Sequence, residues 1–260
     1  MRKRRDKSKK LIKFHYTYLL MGICFILSGY FINLIVFTSL ILVHELGHYL
    51  VARVLKFKVS GIIIYPYGGI TKIDDLLNRN SNEELLVAVS GVIIQYLFYL
   101  VIIYLYKESV VREYTFNLYT LYNSRIIFFN LLPIYPLDGG RIVNLLLSKV
   151  FSYNFSNKLT IFISIVIVFV IININLYTFN YSNIMIYLII SCYIVDYIKN
   201  IKYLYNRFLL ERYLYKLDFD KVKVIDSTDN MYKDRKHLIL FDNNWISEGV
   251  YLNKLFGKKL

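Results

Sequence analysis

The chain contains little cysteine, proline or glycine. Of its 260 residues, two are cysteine, three are proline and eleven are glycine. Cys24 and Cys192 both lie in apolar runs, so we expect buried thiols and neither a disulfide framework nor a thiolate metal site. With so few prolines and glycines there is little room for flexible linkers, and most of the chain should be regular structure.

Acidic residues are also scarce, with 18 Asp and Glu against 32 Lys and Arg and a formal net charge of +14. Such a charge can indicate a nucleic-acid partner, but the basic residues lie in flanks and tail, where membrane topology explains them. Residues 1–13 are typical of a cytosolic anchor beside anionic lipid. The apolar stretch that follows lacks a small-residue cleavage site, so we expect an uncleaved first helix and no nucleic-acid partner.

Apolar sequence is what the chain has in excess, since 57% of its residues are hydrophobic. That fraction is too high for a soluble domain and indicates several membrane spans. Six apolar stretches are near or above the length of a spanning helix: 14–29, 31–52, 84–106, 119–147, 159–179 and 182–198. We therefore predict an all-α polytopic membrane protein with about six transmembrane helices, a membrane-embedded domain over residues 1–200, and an unwound part around Pro133 and Pro136.

Two further segments are expected outside the spanning helices. Residues 59–73 predict two short strands about a turn at Pro66, Gly68 and Gly69, a membrane-associated β-hairpin between helices two and three. Its edge could accept an extended substrate strand. Residues 201–260 predict a small α/β cytosolic tail. The distribution of Lys and Arg places both termini in the cytosol.

The most informative motif is H-E-L-G-H at residues 44–48, inside the second apolar stretch. Histidines four residues apart lie on one face of a helix, an arrangement typical of two Zn²⁺ ligands with the glutamate beside them as an acid/base. The alternative is a pair of core histidines. It is disfavoured because two histidines and an unpaired glutamate in apolar surroundings are costly unless they have a function.

A catalytic zinc takes three protein ligands and leaves one position for water. Asp138 is the candidate third ligand, because it is the one carboxylate in the fourth apolar stretch and follows its proline-broken part. His15 and His237 are poorer candidates, the first at a membrane edge and the second in the tail. Glu45 would take a proton from the metal-bound water and later give it to the leaving amine.

H-E-L-G-H in one predicted membrane helix and N-L-L-P-I-Y-P-L-D-G-G-R (residues 130–141) in a later one together resemble the site-2 protease family of intramembrane zinc metalloproteases. The resemblance implies that His44, His48 and Asp138 bind zinc and that Glu45 is catalytic. Residues 90–95 lie where members carry Ala-Gly-Pro, although valine replaces the proline here.

Further roles follow from the same resemblance. Asn130 would help to hold the oxyanion or the substrate backbone, with an interhelical hydrogen bond as the equal alternative. Pro136 and Gly139 would shape the ligand loop, as Gly68 and Gly69 would shape the hairpin.

The six spans and the short tail are most similar to the sporulation branch of the family. That similarity implies cleavage of the membrane-associated pro-sequence of the sigma factor pro-sigma-K at the mother-cell membrane around the forespore, with membrane inhibitor proteins as partners. The tail is similar to half of a cystathionine-β-synthase-type module, which in relatives can bind ATP. Because this version is short, a docking surface for substrate or a homo-oligomer contact is the favoured alternative.

Several alternatives stay open. A site-2 protease could instead act on an anti-sigma factor or on signal-peptide remnants. A metal transporter or membrane scaffold is the alternative outside the enzymes, but transporters usually show internal repeats, and none is visible. Arg125, inside the fourth stretch, either snorkels to the outer face or pairs with a carboxylate.

Overall fold

A computed structural model describes residues 11–73, 77–177, 184–215, 219, 221–241 and 244–257 of the chain, and about 70% of these described residues are helical. Residues 1–10, most of the expected cytosolic anchor, lie outside the described residues, as does the predicted loop near 179–183. The helices are α1 Tyr16–Leu27, α2 Phe31–Val54, α3 Ser81–Lys107, α4 Glu113–Leu131, α5 Asp138–Val150, α6 Tyr153–Tyr177, α7 Ile184–Tyr215 and α8 Glu248–Phe256. The strands are β1 Ile12–Phe14, β2 Val59–Tyr65, β3 Gly68–Ile73, β4 Val222–Ile225, β5 Lys236–Phe241 and β6 Asn244–Ser247.

Three of these helices are long and apolar enough to cross a membrane: α2, α3 and residues Tyr153–Leu176 of α6. The prediction of a helical protein with membrane-spanning segments is confirmed to that extent, and the number six stays a prediction. Helix α1 is apolar but has only 12 residues. The fourth stretch is divided, as predicted, because α4 ends at Leu131 and α5 begins at Asp138.

The expectation of buried thiols was wrong, because Cys24 and Cys192 are both exposed. An apolar run in a membrane protein is kept from water by lipid and does not have to be packed inside the protein. Hydrophobicity along the sequence therefore did not distinguish a lipid-facing cysteine from a buried one.

The chain forms two units, the first comprising Met1–Asp75 and Leu86–Asn130 and the second Leu76–Leu85 and Leu131–Leu260. In the first unit, β2 and β3 form the predicted antiparallel hairpin, with Tyr65 opposite Gly68 at its turn. Gly68 has φ +151°, a backbone conformation that side-chain-bearing residues rarely adopt.

A third strand of the first unit was not predicted. Residues Ile12–Phe14, assigned from the sequence to the basic anchor and the start of the first helix, form β1 and pair in parallel with β2. The pairing continues at both ends, because Ile62 N–H donates to Leu11 and His15 N–H donates to Ile64. The strand order is therefore β1-β2-β3, with β2 in the centre.

The sheet packs on α2 through a small apolar core. Ile62 and Ile64 of β2 are fully buried, and they contact Ile41 of α2 and Tyr18 of α1. Alternate residues of a strand point to the same face, so β2 places Ile62 and Ile64 together against the helix. The core therefore fixes the hairpin over the part of α2 that carries the H-E-L-G-H motif.

In the second unit, the C-terminal strands form the predicted tail sheet, with β4 parallel and β6 antiparallel to the central β5. Helix α8 follows it and was not predicted. The tail core joins Ile225, Ile239 and Leu252 to Phe208 near the end of α7. Helix α7 runs through residue 200, so the boundary between a membrane domain and a tail at 200/201 stays a prediction.

Arg212 is the polar centre of this tail. Its guanidinium is 1% exposed and pairs with Glu248 at 2.9 Å. It also donates to the Asn78 side chain at 2.9 Å and to backbone oxygens of Arg235, Tyr232 and Lys233 at 2.9, 2.7 and 2.6 Å. Since it satisfies so many buried acceptors, Arg212 ties α7 to three separate segments of the unit.

His237 completes the network as a neutral imidazole. Its Nε2 accepts the Tyr232 N–H at 2.9 Å, and its Nδ1 lies 2.8 Å from Glu248 Oε2. Burial lowers the pKa of His237, an effect larger than the opposing influence of Glu248. Burial alone would raise the pKa of Glu248, but the hydrogen bond from His237 and the charge of Arg212 hold it below its usual value.

We predict that Arg212→Met destabilises the tail by about 3–5 kcal/mol, because it leaves buried Glu248 without its cation. Unfolding by urea can be followed by fluorescence of Trp245, the single tryptophan of the chain, which lies in β6. The control is Lys202→Met, which removes an exposed cation from the same helix and should change the stability by about 0.5 kcal/mol or less. Equal midpoints for the two variants would contradict the central role of Arg212.

Candidate metal centre

The two histidines of the motif lie together on one buried face of α2. His44 is 3% exposed and His48 is 6% exposed, and their rings meet edge to face with centroids 4.8 Å apart. One helical turn separates them, as the spacing of four residues predicts. Their Nε2 atoms are 3.1 Å apart.

Both imidazoles are held at Nδ1 by residues of α3. His48 Nδ1 lies 2.7 Å from the backbone oxygen of Val87, and His44 Nδ1 lies 2.9 Å from Oε1 of Gln95. A carbonyl oxygen can only accept a hydrogen bond, so each Nδ1 carries the proton and donates it. In a neutral imidazole with its proton on Nδ1, Nε2 carries the lone pair that can bind a metal.

The two Nε2 atoms are 3.1 Å apart, so one cation can accept the lone pairs of both. Two imidazole nitrogens on one tetrahedral Zn²⁺ at the usual bond length are about 3.3 Å apart. The Nε2 pair therefore fits a zinc ion in both geometry and donor type.

Gly91 of α3 makes room for this pair. A Cβ at Gly91 would lie 2.4 Å from His48 Nε2 and 2.8 Å from His44 Nε2. Nearby, a Cβ at Gly47 of α2 would lie 2.7 Å from the backbone oxygen of Ser90. The two helices thus cross at backbone contact, as small residues allow in membrane proteins. Sequence reasoning did not select Gly91; a glycine inside an apolar helix was the available signal.

The hairpin covers Glu45, which is 6% exposed. Thr71 of β3 donates its hydroxyl to Glu45 Oε2 at 2.7 Å. A Cβ at Gly69 would lie 2.3 Å from Glu45 Cγ, so only glycine allows β3 to lie this close. Gly69 was predicted as a shaping residue of the hairpin, whereas Thr71 was missed because nothing in the sequence links it to Glu45.

In the second unit, Asp138 is the first residue of α5 and is half-buried. A carboxylate in the first turn is favoured by the partial positive charge of the helix N-terminus. Gly139 and Gly140 let the preceding loop fold back on this turn, since a Cβ at either would lie within 2.5 Å of backbone atoms of Leu131 or Ile134. The close approach of the preceding loop therefore explains why two glycines follow Asp138.

The other predicted residues lie as follows. Pro136 is exposed in the loop before α5, after a cis peptide bond with Tyr135. The Tyr135 N–H donates to Ser164 Oγ at 2.9 Å, which holds the loop on α6. Asn130 is half-buried in the last turn of α4, and Arg125 is exposed on the same helix.

The four histidines separate into different environments. His15 caps the N-terminus of α1 by accepting from the Thr17 N–H, and His237 belongs to the tail network. In the first unit, His44 and His48 each offer an imidazole nitrogen to a metal ion, and in the second unit Asp138 offers a carboxylate oxygen.

We predict that Gly91→Ala abolishes zinc binding, because the new methyl group would meet both Nε2 atoms. Zinc per chain, measured by mass spectrometry of the purified protein, should fall from about one to near zero. Gly22→Ala is the matched control, since its Cβ would meet only Leu34 Cδ2 at 3.7 Å, an ordinary contact. Retention of one zinc by Gly91→Ala would contradict the assignment of these Nε2 atoms as ligands.

Comparison with known proteins gives concordant matches. The family model Peptidase family M50 matches residues 32–112 and 107–174. Stage IV sporulation protein FB of Bacillus subtilis is 30% identical over 196 residues, covering 72% of this chain and 66% of that protein. A zinc metalloprotease of Methanocaldococcus jannaschii is 32% identical over 130 residues, covering 48% of this chain and 37% of that protein.

The same archaeon supplies a solved structure with a similar fold, the site-2 protease. It superposes with a TM-score of 0.57 at 24% sequence identity, covering 71% of this chain and 89% of the other. The chain spans just under two thirds of the length of the sporulation protein and just over one third of the length of the archaeal zinc metalloprotease. The family model covers more than half of the chain. The chain therefore belongs to peptidase family M50.

Proposed function

We propose that the chain is an intramembrane zinc metalloendopeptidase of the site-2 protease type. His44, His48 and Asp138 are the zinc ligands, and Glu45 is the acid/base. The observation that carries the proposal is the pair of Nε2 atoms 3.1 Å apart beside Glu45 on α2, a helix apolar enough to cross a membrane. Two imidazoles and a carboxylate are a ligand set that suits zinc.

Zinc in this position would supply a Lewis acid that polarises the scissile carbonyl and makes a bound water acidic near neutral pH. Thr71 already donates to Glu45 Oε2, so Oε1 is the oxygen that takes the proton of the attacking water. Glu45 then delivers that proton to the leaving amine. Because Gly69 has no side chain, nothing at this position of β3 covers the Glu45 carboxylate.

The substrate we propose is the membrane-associated pro-sequence of the sporulation sigma factor pro-sigma-K. Support comes from the 30% identity to a protein named for stage IV of sporulation. We also propose a multi-pass arrangement over residues 1–200, with a cytosolic tail over residues 201–260 and both termini in the cytosol. Asn130 is proposed to hold the oxyanion or the substrate backbone.

The direct test is co-expression with a tagged pro-sigma-K-like substrate and detection of the product by gel shift. We expect cleavage by the wild type and none by Glu45→Gln, which should keep its zinc because Glu45 is not a ligand. Glu113→Gln, a change at an exposed glutamate on α4, is the matched control and should cleave normally.

Cleavage by Glu45→Gln at the wild-type rate would refute the protease mechanism. A wild type that binds zinc but leaves this substrate intact would refute only the substrate, and an anti-sigma factor or signal-peptide remnant would be tested next.

Strand β3 supports a way of presenting the substrate. A helical substrate must become extended before its carbonyl can be attacked, and an exposed strand edge can hold an extended segment by main-chain hydrogen bonds. In the order β1-β2-β3, β3 is the terminal strand and is also the strand that contacts Glu45. We therefore propose that substrate adds to β3, antiparallel or parallel, beside the acid/base.

Disulfide cross-linking can test this presentation in a Glu45→Gln chain whose Cys24 and Cys192 are replaced by serine. Ile70→Cys, at a 42% exposed position of β3, should cross-link to single cysteines placed at every second substrate position, the period of a strand. Lys13→Cys on β1, at the opposite end of the sheet, is the control and should not cross-link. A period of three to four residues would show a helical substrate and contradict strand addition.

A further inference from the structure

His44 is held by a chain of side-chain amides that crosses from α3 to α4. Gln95 Oε1 lies 2.9 Å from His44 Nδ1, and Gln95 Nε2 donates to Asn123 Oδ1 at 3.0 Å. Gln95 is fully buried and Asn123 is 4% exposed. An uncharged amide pair of this kind is costly in an apolar interior unless its hydrogen bonds are made. Gln95 and Asn123 are therefore held where they can bond to His44 and to each other.

One backbone acceptor determines which end of the Gln95 amide faces His44. Gln95 Nε2 also lies 3.4 Å from the backbone oxygen of Asn123, which can only accept. The NH₂ of Gln95 must therefore face Asn123, and its oxygen must face His44. His44 Nδ1 is then obliged to donate, which leaves its Nε2 without a proton.

We infer that Gln95 and Asn123 are positioning residues that hold His44 in the tautomer and orientation of a metal ligand; this inference rests on the proposed function. Partners of this kind orient a ligating imidazole through its second nitrogen, and losing them typically weakens metal binding 10–100-fold. The two histidines differ in this respect. His48 is oriented by the Val87 main chain, whereas His44 depends on side chains.

A neutral amide suits this place better than the carboxylate that often holds a ligating histidine. A carboxylate buried between α3 and α4 would add a charge in apolar surroundings, which is costly. Gln95 supplies an acceptor oxygen without that charge, and Asn123 keeps the oxygen turned towards His44. Gln95 and Asn123 thus orient His44 without adding a charge to the metal site.

The test is the zinc affinity of the purified full-length chain, measured by competition with a chromogenic chelator. Gln95→Leu removes the acceptor at similar volume and should bind zinc 10–100-fold more weakly. Gln95→Glu restores an acceptor oxygen, so its zinc affinity should return to within a few-fold of the wild type, although the added buried charge should lower the stability of the protein. Asn123→Leu, which frees Gln95 to turn, should also weaken binding and serves if Gln95→Leu does not fold.

The matched control is Asn33→Leu, which removes the 3.0 Å hydrogen bond from Asn33 of α2 to Tyr122 of α4 without touching a histidine. It should leave zinc affinity unchanged. The visible spectrum of the cobalt-substituted protein adds a second readout, and we expect the tetrahedral bands to be altered only when the acceptor is removed.

Equal affinities for Gln95→Leu and the wild type would overturn the inference, as would a loss of equal size in Asn33→Leu or a failure of Gln95→Glu to rescue. These outcomes are separate from the proposed function. A wild type that binds zinc but cleaves nothing refutes the activity and not the relay, whereas a wild type that binds no zinc refutes both.

Discussion

The close approach of α3 to α2 determines the geometry of the candidate metal centre. At Gly47 and Gly91 the two helices meet with room for hydrogen but not for a methyl group. Only at that distance can Val87 and Gln95 reach the Nδ1 atoms of the two histidines. The contact therefore positions both imidazoles, and because it engages Nδ1 of each ring, Nε2 is the nitrogen that can bind a metal.

The hairpin makes a second close approach, this time to Glu45. The absence of a side chain at Gly69 lets β3 lie on the carboxylate, and Thr71 then orients it. The same strand is the terminal strand of its sheet, which the N-terminal strand β1 completes on the other side. One short β-structure thus orients Glu45, the proposed acid/base, and has the strand edge at which we propose that an extended peptide adds.

The sequence predicted the parts of this site whose signals are local. Histidines four apart on an apolar helix, a carboxylate after two prolines and an apolar, β-prone hairpin about a proline and glycine turn each have a signal in spacing or composition. The break between α4 and α5 followed from proline in the same way. Each of these predictions depends on residues that are neighbours along the chain.

The residues that were missed depend on long-range contacts. Gln95 is 51 residues from His44, and Thr71 is 26 residues from Glu45. An isolated glutamine or threonine carries no pattern that names its partner. Strand β1 was missed because three residues beside a basic segment are too few for a period, and pairing with β2 decides their conformation.

X-ray absorption at the zinc edge of the purified chain tests the central claim most directly. The account predicts one zinc per chain with nitrogen and oxygen ligands at about 2.0–2.1 Å, including the outer-atom scattering that two imidazoles produce. His44→Ala should remove the scattering of one imidazole. A sulfur shell at about 2.3 Å, or a spectrum unchanged by His44→Ala, would contradict the assignment of the two Nε2 atoms as metal ligands.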